Sequence, residues 1–370
     1  MKRLLKLSEL LYNAIPDYLQ FIYRPGQILM RNLCNFRIKL WALTGVELNS
    51  QQELAVLYAG DGSNMNYFME LAFAANCKVR YLGKVWLFQI PKLAKRKKDI
   101  YSMLIAEVPK FLLLNVKDCF RIPCWVRGEV DISGDIGSIM LKDHSLKYAQ
   151  RLMRKNELSF EEANEPSRLS NFYYDMYLPY ITKRFGNSAL LENYQSLLKE
   201  FTHCDLILIK CKDQEIAGSL IAYKGRKARL WCFGIKDANP DYVKMGAFGA
   251  LYSFSFQYLK DKGFKNAGVG GSRPFLKDGV LNYKRKWGLR ITEPFEFFFL
   301  LKAIKITEGS KAFLVNNPFI YINKGEFNCA VFLDESASSN KNILEVINKN
   351  YNYHGISHII TKMLNSNPPE

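Results

Sequence analysis

The sequence is poor in histidine and lacks the short motifs of several common enzyme classes. Only four His residues occur in 370 residues, which limits histidine-based metal and triad chemistry. There is no G-x-x-x-x-G-K-[ST] motif, so a P-loop nucleotidase is excluded at the motif level. No H-E-x-x-H, G-x-S-x-G or EF-hand loop appears either. None of the eight cysteines forms the C-x-x-C pair of zinc or thioredoxin-like sites, so we expect reduced thiols and no metal.

Long hydrophobic runs are also missing. Nowhere do about 18 consecutive apolar residues occur, so a membrane span is not expected. The start Met1–Leu7 resembles a signal peptide, but Glu9 and Asp17 soon interrupt the apolar run and no small-residue cleavage site follows. Together with the reduced thiols, this predicts a cytoplasmic protein, with peripheral contact at the inner membrane face left open.

The composition is that of a folded protein with a strong basic excess. Hydrophobic residues make up 48% and charged residues 24% of the chain, and the length suits two domains. The 52 Lys and Arg exceed the 35 Asp and Glu by 17. This charge favours polyanionic partners: a phosphate-bearing ligand, nucleic acid or an anionic membrane face.

Residues 1–49 predict a basic amphipathic helical extension. Leucines recur near helical spacing, and seven Lys/Arg stand against three acidic residues. Such a helix either packs on the body of the protein or adsorbs to anionic lipid. A second basic run, from Lys92 to Lys98, is either a solvated face or a patch for phosphate or nucleic acid.

Four regions follow from the pattern along the chain. After the extension, residues 50–165 mix strands and helices, with a hairpin predicted through Gly83. The polar segment from Glu157 to Pro166 is interpreted as a domain junction. Residues 166–335 then form a second domain, and residues 336–370 a peripheral helix and tail.

The second domain has the most regular pattern. An antiparallel meander is followed by helix, strand, helix and strand, which indicates an α+β fold rather than a Rossmann chain. The predicted strands are Leu206–Lys210, Ile216–Tyr223, Ala228–Ile235, Asn266–Val269 and Glu296–Leu300, and the helices are Met245–Lys262, ending at Gly263, and Val280–Lys286.

The start of the Met245–Lys262 helix is a candidate phosphate site. Gly246 and Gly249 stand where backbone must come close to another group, and Lys244 adds a positive charge. Helix N-termini expose unpaired N–H groups, which suit a pyrophosphate. The alternative is that the two glycines only permit tight packing of the helix.

Two sets of motifs resemble a known family. The order meander, glycine helix, short strand, helix and strand resembles the Gcn5-related N-acetyltransferase (GNAT) fold. The stretch Gly270-Gly271-Ser272-Arg273-Pro274, followed by Tyr283-Lys284-Arg285-Lys286-Trp287-Gly288, is similar to the signature of the FemAB/BioF2-like branch. The resemblance covers roughly residues 165–300. It implies an α+β, GNAT-like mixed sheet with flanking helices in two tandem domains, the first (residues 50–130) degenerate.

The resemblance also implies roles for individual residues. Lys284 would contact an anionic group or stabilise developing charge, and Tyr283 would protonate the leaving group. Lys244, Gly246 and Gly249 would bind the cofactor. Ser272, Arg273 and Lys286 are the expected substrate-binding residues. A general base is not identifiable by pattern; His203, Asp205 and Glu215 are candidates by composition only.

By this resemblance the protein is an acyltransferase that moves an acyl group from acetyl-CoA or another acyl-CoA to an amine or hydroxyl of a cell-envelope precursor, such as a sugar nucleotide, glycan or lipid. Lys244-x-x-Ala247-x-Gly249 departs from the cofactor motif [QR]-x-x-G-x-[GA]. An aminoacyl-tRNA-dependent FemX-like peptidyltransferase, with tRNA as partner, therefore stays open. The non-enzymatic alternative is a basic nucleic-acid-binding protein, for which no recognised motif is present.

Overall fold

The computed structural model describes residues 37–60, 62–74, 76–110, 112, 118–186, 189, 191–334 and 342–364. The chain divides into two compact units. Unit 1 contains the residues up to Ile122, Glu296–Asn316 and the residues from Met363 on, and unit 2 contains Pro123–Phe295 and Asn317–Lys362. The first 36 residues of the predicted extension lie outside the described residues.

Sixteen strands and twelve α-helices are described. The strands are β1 Arg37–Val46, β2 Glu53–Ala59, β3 Lys78–Trp86, β4 Met103–Pro109, β5 Phe120–Pro123, β6 Val126–Asp131, β7 Leu158–Ala163, β8 Cys204–Cys211, β9 Gln214–Lys224, β10 Lys227–Ile235, β11 Asn266–Ser272, β12 Arg290–Pro294, β13 Phe297–Ala303, β14 Phe319–Asn323, β15 Glu326–Leu333 and β16 His358–Met363. The helices are α1 Gly62–Ala72, α2 Ile90–Arg96, α3 Ile136–Leu141, α4 His144–Lys155, α5 Pro166–Asn171, α6 Leu178–Phe185, α7 Tyr194–Glu200, α8 Pro240–Lys244, α9 Ala247–Asp261, α10 Gly279–Lys286, α11 Glu308–Asn316 and α12 Ile343–Tyr351, with a π-helix at Phe172–Tyr177 between α5 and α6. Among these elements, no helix has the length and hydropathy that a bilayer span requires.

Unit 1 is built on a mixed sheet of six strands in the order β3-β1-β2-β4-β13-β5. β2 and β4 are parallel, while β1 pairs antiparallel with both β2 and β3. The predicted helical extension is wrong over residues 37–49, because Arg37–Val46 is strand β1 and has neighbours on both edges. The predicted hairpin at Gly83 is also wrong. Gly83 has φ of 112° within a continuous β3 and lies at the register shift opposite Leu40, so it allows a bulge rather than a turn.

Unit 2 contains a seven-stranded sheet in the order β12-β6-β11-β10-β9-β8-β7. β7 to β10 form the antiparallel meander, and α9 connects β10 to the parallel strand β11. The predicted α+β class, with a mixed sheet and flanking helices, is confirmed. The interpreted junction at Glu157–Pro166 lies within this unit, since Leu158–Ala163 is β7 and pairs with β8.

The aromatic strand predicted at Glu296–Leu300 exists as β13, but it belongs to the other sheet. β13 pairs antiparallel with β4 along its whole length, from Phe297–Pro109 to Ala303–Met103. β4 is almost entirely buried and needs a partner on each edge. After α11, the chain adds a separate sheet of β14, β15 and β16, so the predicted tail contains a strand as well as the helix α12.

The core of unit 2 fixes α10 against α9. Trp287, which is 1% exposed and directly follows α10, stacks on Tyr252 of α9 with ring centroids 5.7 Å apart. Its edge meets Phe256, one helical turn further along α9, at 5.3 Å. Burial of such large aromatic side chains is the main favourable term at this contact. The orientation of α10, which contains Tyr283 and Lys284, therefore follows from the aromatic core.

Candidate active site

A cavity of unit 2 lies where two parallel strands separate. β10 and β11 pair only at Ala228–Ala267 and Arg229–Gly268. Beyond these pairs β10 has a register shift after Leu230, and β11 contains Gly270 with φ of 70°. Such irregularities bend a strand and end its pairing. A cavity of about 590 Å³ lies at this opening, with residues of both strands in its lining.

The lining is aromatic and basic. Nine aromatic and three basic side chains face the cavity, and among its described lining residues there is no carboxylate. The basic residues are Arg184, Lys244 and Lys284, and the aromatic ones are Tyr148, Tyr177, Tyr180, Phe185, Trp231, Phe233, Phe248, Tyr252 and Tyr283. This chemistry suits a ligand with an apolar arm and an anionic group.

Lys284 is the most unusual side chain of the site. It lies on α10, which begins after Asp278, whose carboxylate accepts a hydrogen bond from the Leu281 N–H. The residue is 4% exposed, and its Nζ donates to the Gly271 carbonyl at 2.7 Å and to Ser272 Oγ at 3.0 Å. Both acceptors belong to β11, so the strand that opens the cavity also holds the amine.

The protonation of Lys284 is set by this burial. Loss of water around the charged form lowers the pKa of the Lys284 amine to about 7, although the Asp278 carboxylate acts in the opposite direction. Neutral and protonated forms are then both populated near neutral pH. A neutral amine in this position can accept a proton, and the protonated amine can stabilise negative charge.

Tyr283 lies beside Lys284 and faces the same cavity. Its ring contacts Phe248 at 5.0 Å and Tyr252 at 5.2 Å between centroids. Burial raises the pKa of the Tyr283 hydroxyl above its ordinary value, so the group remains protonated at neutral pH. Tyr283 is therefore able to donate a proton or a hydrogen bond into the cavity.

The predicted cofactor residues lie at the start of α9 and line the cavity. The Lys244 side chain is 75% exposed and pairs with Asp241 at 2.8 Å. Gly246 has φ of 99°, a conformation that favours glycine. A Cβ on Gly249 would lie 2.8 Å from the Cβ of Ala149 on α4, so this glycine is required for helix packing whatever it also binds.

Three predicted substrate-binding residues are absent from the described lining of the cavity. Ser272 acts through Lys284, as its hydrogen-bond acceptor. Arg273 is 4% exposed, donates to the Cys124 carbonyl at 3.2 Å and lies 3.9 Å above the Trp125 ring. Lys286 donates to Ser145 Oγ at 2.8 Å. Their positions thus indicate support of the site and of the surrounding packing.

The candidate bases suggested by composition also lie away from the cavity. Asp205 accepts hydrogen bonds from Tyr223, Tyr258 and Lys262. Burial raises the pKa of Asp205, but these hydrogen bonds outweigh burial and hold the pKa below its ordinary value. Glu215 accepts from Arg168 at 2.6 Å, and His203 lies in a short 3₁₀ turn before β8. None of the three is among the described lining residues.

Arg184 is the main cavity residue without a role assigned from sequence. Its guanidinium carbon lies 5.6 Å from the Phe185 ring centroid and 6.0 Å from those of Tyr180 and Phe248. Tyr180 and Arg184 are four residues apart on α6 and therefore share a face. The spacing of Tyr180 and Arg184, directly after Pro179, could have identified the two as neighbours on one helix face. Their position at the β10–β11 opening depends on tertiary structure and is not visible in the sequence.

No protein-family profile matches the sequence, and no curated protein matches it. Several solved structures are similar to the chain. They include FemX, at 12% identity over 70% of this chain and 83% of that one (TM-score 0.38), and L-PGS from Bacillus licheniformis, at 11% over 72% and 85% (TM-score 0.35). The PaiA N-acetyltransferase from Thermoplasma acidophilum in complex with coenzyme A matches at 15% over 39% of this chain and 99% of that one (TM-score 0.28).

Proposed function

We propose that unit 2 is an acyltransferase that moves an acyl group from an acyl-CoA to an amine or hydroxyl acceptor. The observation that supports this best is the coincidence of the β10–β11 opening with a buried, hydrogen-bonded lysine. An opening between parallel strands gives an extended donor arm access to unpaired backbone, and Lys284 lies beside it. Transfer of an acyl group requires little more than positioning, oxyanion stabilisation and a route for one proton.

The donor phosphates are assigned to the start of α9. The first N–H groups of a helix have no intrahelical acceptor, and the macrodipole places partial positive charge there. Lys244 is the last residue of α8, just before α9, and among the contacts described it is held only by its exposed ion pair with Asp241. An exposed pair of this kind contributes little to stability, so Lys244 is able to exchange Asp241 for a phosphate.

The reaction follows from the two neighbouring residues of α10. The acceptor nitrogen or oxygen attacks the acyl carbonyl, a C–N or C–O bond forms, and the C–S bond of the thioester breaks. Neutral Lys284 takes the proton that the acceptor loses, and Tyr283 protonates the leaving thiolate. Proton exchange with solvent in the open cavity then returns Lys284 to the amine and Tyr283 to the phenol before the next turnover. Backbone N–H groups at the opening are the candidate donors to the oxyanion.

The donor class has one rival. An aminoacyl-tRNA carries its acyl group as an ester, which the same two residues could cleave with an oxygen leaving group. The acceptor class, a sugar nucleotide, glycan or lipid precursor of the cell envelope, rests on the motif resemblance of Ser272 and the Tyr283–Gly288 segment.

Donor binding is tested by thermal denaturation with acetyl-CoA, longer acyl-CoAs and aminoacyl-tRNA. A ligand at 100 times its Kd stabilises the folded state by about 2.7 kcal/mol, which raises the Tm measurably. We expect the acyl-CoA shift to fall in Lys244→Ala and to persist in Lys227→Ala, which removes an exposed charge from the first residue of β10. No shift with any acyl-CoA would contradict the CoA proposal, and a shift with aminoacyl-tRNA alone would select the rival donor.

A further inference from the structure

Strands β1 and β3 of unit 1 are neighbours at one end of the six-stranded sheet and share an unusual face. In the antiparallel register Arg37 pairs with Trp86, Lys39 with Lys84, and Trp41 with Tyr81. Directly opposed residues of two strands lie on the same face of a sheet. This face therefore combines three cationic and three aromatic side chains, with Arg37 lying 5.8 Å from the centroid of the Trp86 ring.

The basic character continues into the next helix. Residues 78–98 contain eight Lys/Arg and no Asp or Glu. Four of them, from Lys95 to Lys98, are exposed at the end of α2. We call β1 residues 37–41 together with residues 78–98 the basic aromatic surface. It includes the Lys92–Lys98 run whose role the sequence left open.

Large apolar side chains are exposed on the same surface. Phe88 is 63% exposed, Tyr81 50%, Trp86 44% and Val79 42%. Trp86 and Phe88 contact each other, and clustered exposed apolar groups indicate an interaction site more often than single ones do. β3 is also the edge strand of its sheet among the described residues.

We propose that the basic aromatic surface binds the surface of an anionic lipid bilayer. Tryptophan, tyrosine and phenylalanine are suited to the boundary between headgroups and acyl chains, and clustered Lys/Arg are attracted to anionic headgroups. The surface provides both, without any acidic residue between positions 78 and 98 to repel the lipid. This inference concerns unit 1 and is independent of the catalytic proposal for unit 2.

A single-stranded nucleic acid fits the surface less well. Nucleic-acid platforms need aromatic faces on which bases can stack. Here Trp86 and Phe88 already stack on each other, with ring centroids 5.8 Å apart and planes inclined by 18°. Trp41 and Tyr81 likewise contact each other at 5.0 Å. Packed aromatic pairs still offer apolar area and edges to a lipid interface.

The test is flotation of the full chain with vesicles of phosphatidylcholine alone and vesicles that also contain phosphatidylglycerol. We expect flotation with the anionic vesicles only, and loss of it in W86A/F88A. In K95Q/K97Q/K98Q each missing charge should weaken binding about fivefold, and added salt should act in the same direction. The exposure of the substituted side chains leaves the fold intact, which circular dichroism checks.

Two matched controls separate this surface from general charge or apolarity. Tyr174→Ala removes an aromatic residue of unit 2 that is 53% exposed. K224Q/R226Q/K227Q removes three charges from the exposed β9–β10 turn. Both should float as the wild type does. The proposal is overturned if no vesicle binds, if W86A/F88A floats unchanged, or if the variants lose binding to a single-stranded oligonucleotide while vesicles are never bound.

Discussion

At the scale of single residues, burial changes what the Lys284 amine can do, because it brings the pKa of this amine close to neutral pH. A lysine in water stays protonated far above neutral pH, whereas this one is held at β11 by Gly271 and Ser272 with a pKa of about 7. The same nitrogen can thus accept the acceptor's proton and then, as an ammonium, stabilise charge on the donor. Lys286, two residues along α10, bonds only to Ser145 among its described contacts and is a natural control.

The catalytic role of Lys284 predicts a distinctive pH dependence. Lys284→Gln should lower turnover about 10²–10⁴-fold, as expected for loss of a positioned proton acceptor. In the wild type, kcat/KM should rise with pH through about 7 as the amine deprotonates. Lys284→Arg retains the charge but cannot deprotonate in this range, so the rise of kcat/KM with pH should disappear. Lys286→Gln is the control and should keep near-normal turnover and the wild-type pH dependence of kcat/KM. The same result in both Lys284 variants would remove Lys284 from the mechanism.

The buried lysine also predicts how stability varies with pH. Its pKa is about 7 in the folded chain, against an ordinary value of 10.5 that applies to the unfolded chain. Between these values the unfolded chain binds a proton that the folded chain does not, so the free energy of unfolding rises with pH. Below about pH 7 both states are protonated and the full penalty, on the order of 3–5 kcal/mol, opposes folding.

Lys284→Met removes this penalty together with two hydrogen bonds. We expect the variant to be more stable than the wild type at and below pH 7, with the difference shrinking as the pH rises toward 10. Urea denaturation across this range measures both curves. Parallel curves would show that the Lys284 pKa is not depressed in the folded protein.

At the scale of elements, the regular elements of unit 2 were predictable because their ends have local signals. The Lys224–Lys227 turn and Gly263, with φ of 86°, mark ends that the structure confirms. β7 was missed because its Glu-rich sequence resembles a linker. In the folded chain Glu161 of this strand accepts hydrogen bonds from the nearby Arg168 and from Lys210 of β8, and Lys210 is 49 residues away, beyond any local window.

The candidate active site, too, could be predicted from sequence only in part. Tyr283 and Lys284 stand in a recognisable motif, so they could be singled out from sequence. The cavity itself depends on where β10 and β11 stop pairing, which is a property of two strands more than 30 residues apart. The sequence also could not decide between binding and packing for Gly246 and Gly249.

The contact between α9 and α4 predicts a clear effect for Gly249→Ala. The new Cβ would lie 2.8 Å from the Cβ of Ala149, and neither atom can move without its helix. Overpacking of this kind costs about 1–3 kcal/mol, so the Tm should fall by several degrees. Gly134→Ala, with no heavy atom within 4 Å of the new Cβ, should have little effect.

A double substitution makes the cause of that loss explicit. Ala149→Gly removes the opposing Cβ, at a cost of up to about 1 kcal/mol in the interior of α4. If the clash is responsible, the double variant should be more stable than Gly249→Ala alone. Additive losses in the two single variants would instead show that the helices adjust freely at this contact.

At the scale of the whole molecule, the chain passes between its two units more often than the sequence indicated. β13 returns from residue 297 to pair with β4 of unit 1, although nothing near Phe297 identifies β4 as its partner. β6 inserts between β11 and β12 of unit 2 from a position before the predicted second domain. Hydrophobic patterns identify such strands, but the choice of partner depends on contacts far apart in sequence.

This interleaving predicts that the segment 166–335, the second domain expected from sequence, does not fold alone. It lacks β6, the neighbour of both β11 and β12, and β7, which covers the edge of β8. It also lacks α4, against which Gly249 packs, so the backbone around the cavity loses support on two sides. Unpaired strand edges of this length favour aggregation. We expect this fragment to show no cooperative thermal transition, whereas a fragment beginning at residue 118 and including all later residues should retain one, although β13 keeps β5 and loses its neighbour β4. A cooperative transition in 166–335 at the Tm of the full chain would show that β6, β7 and α4 are dispensable.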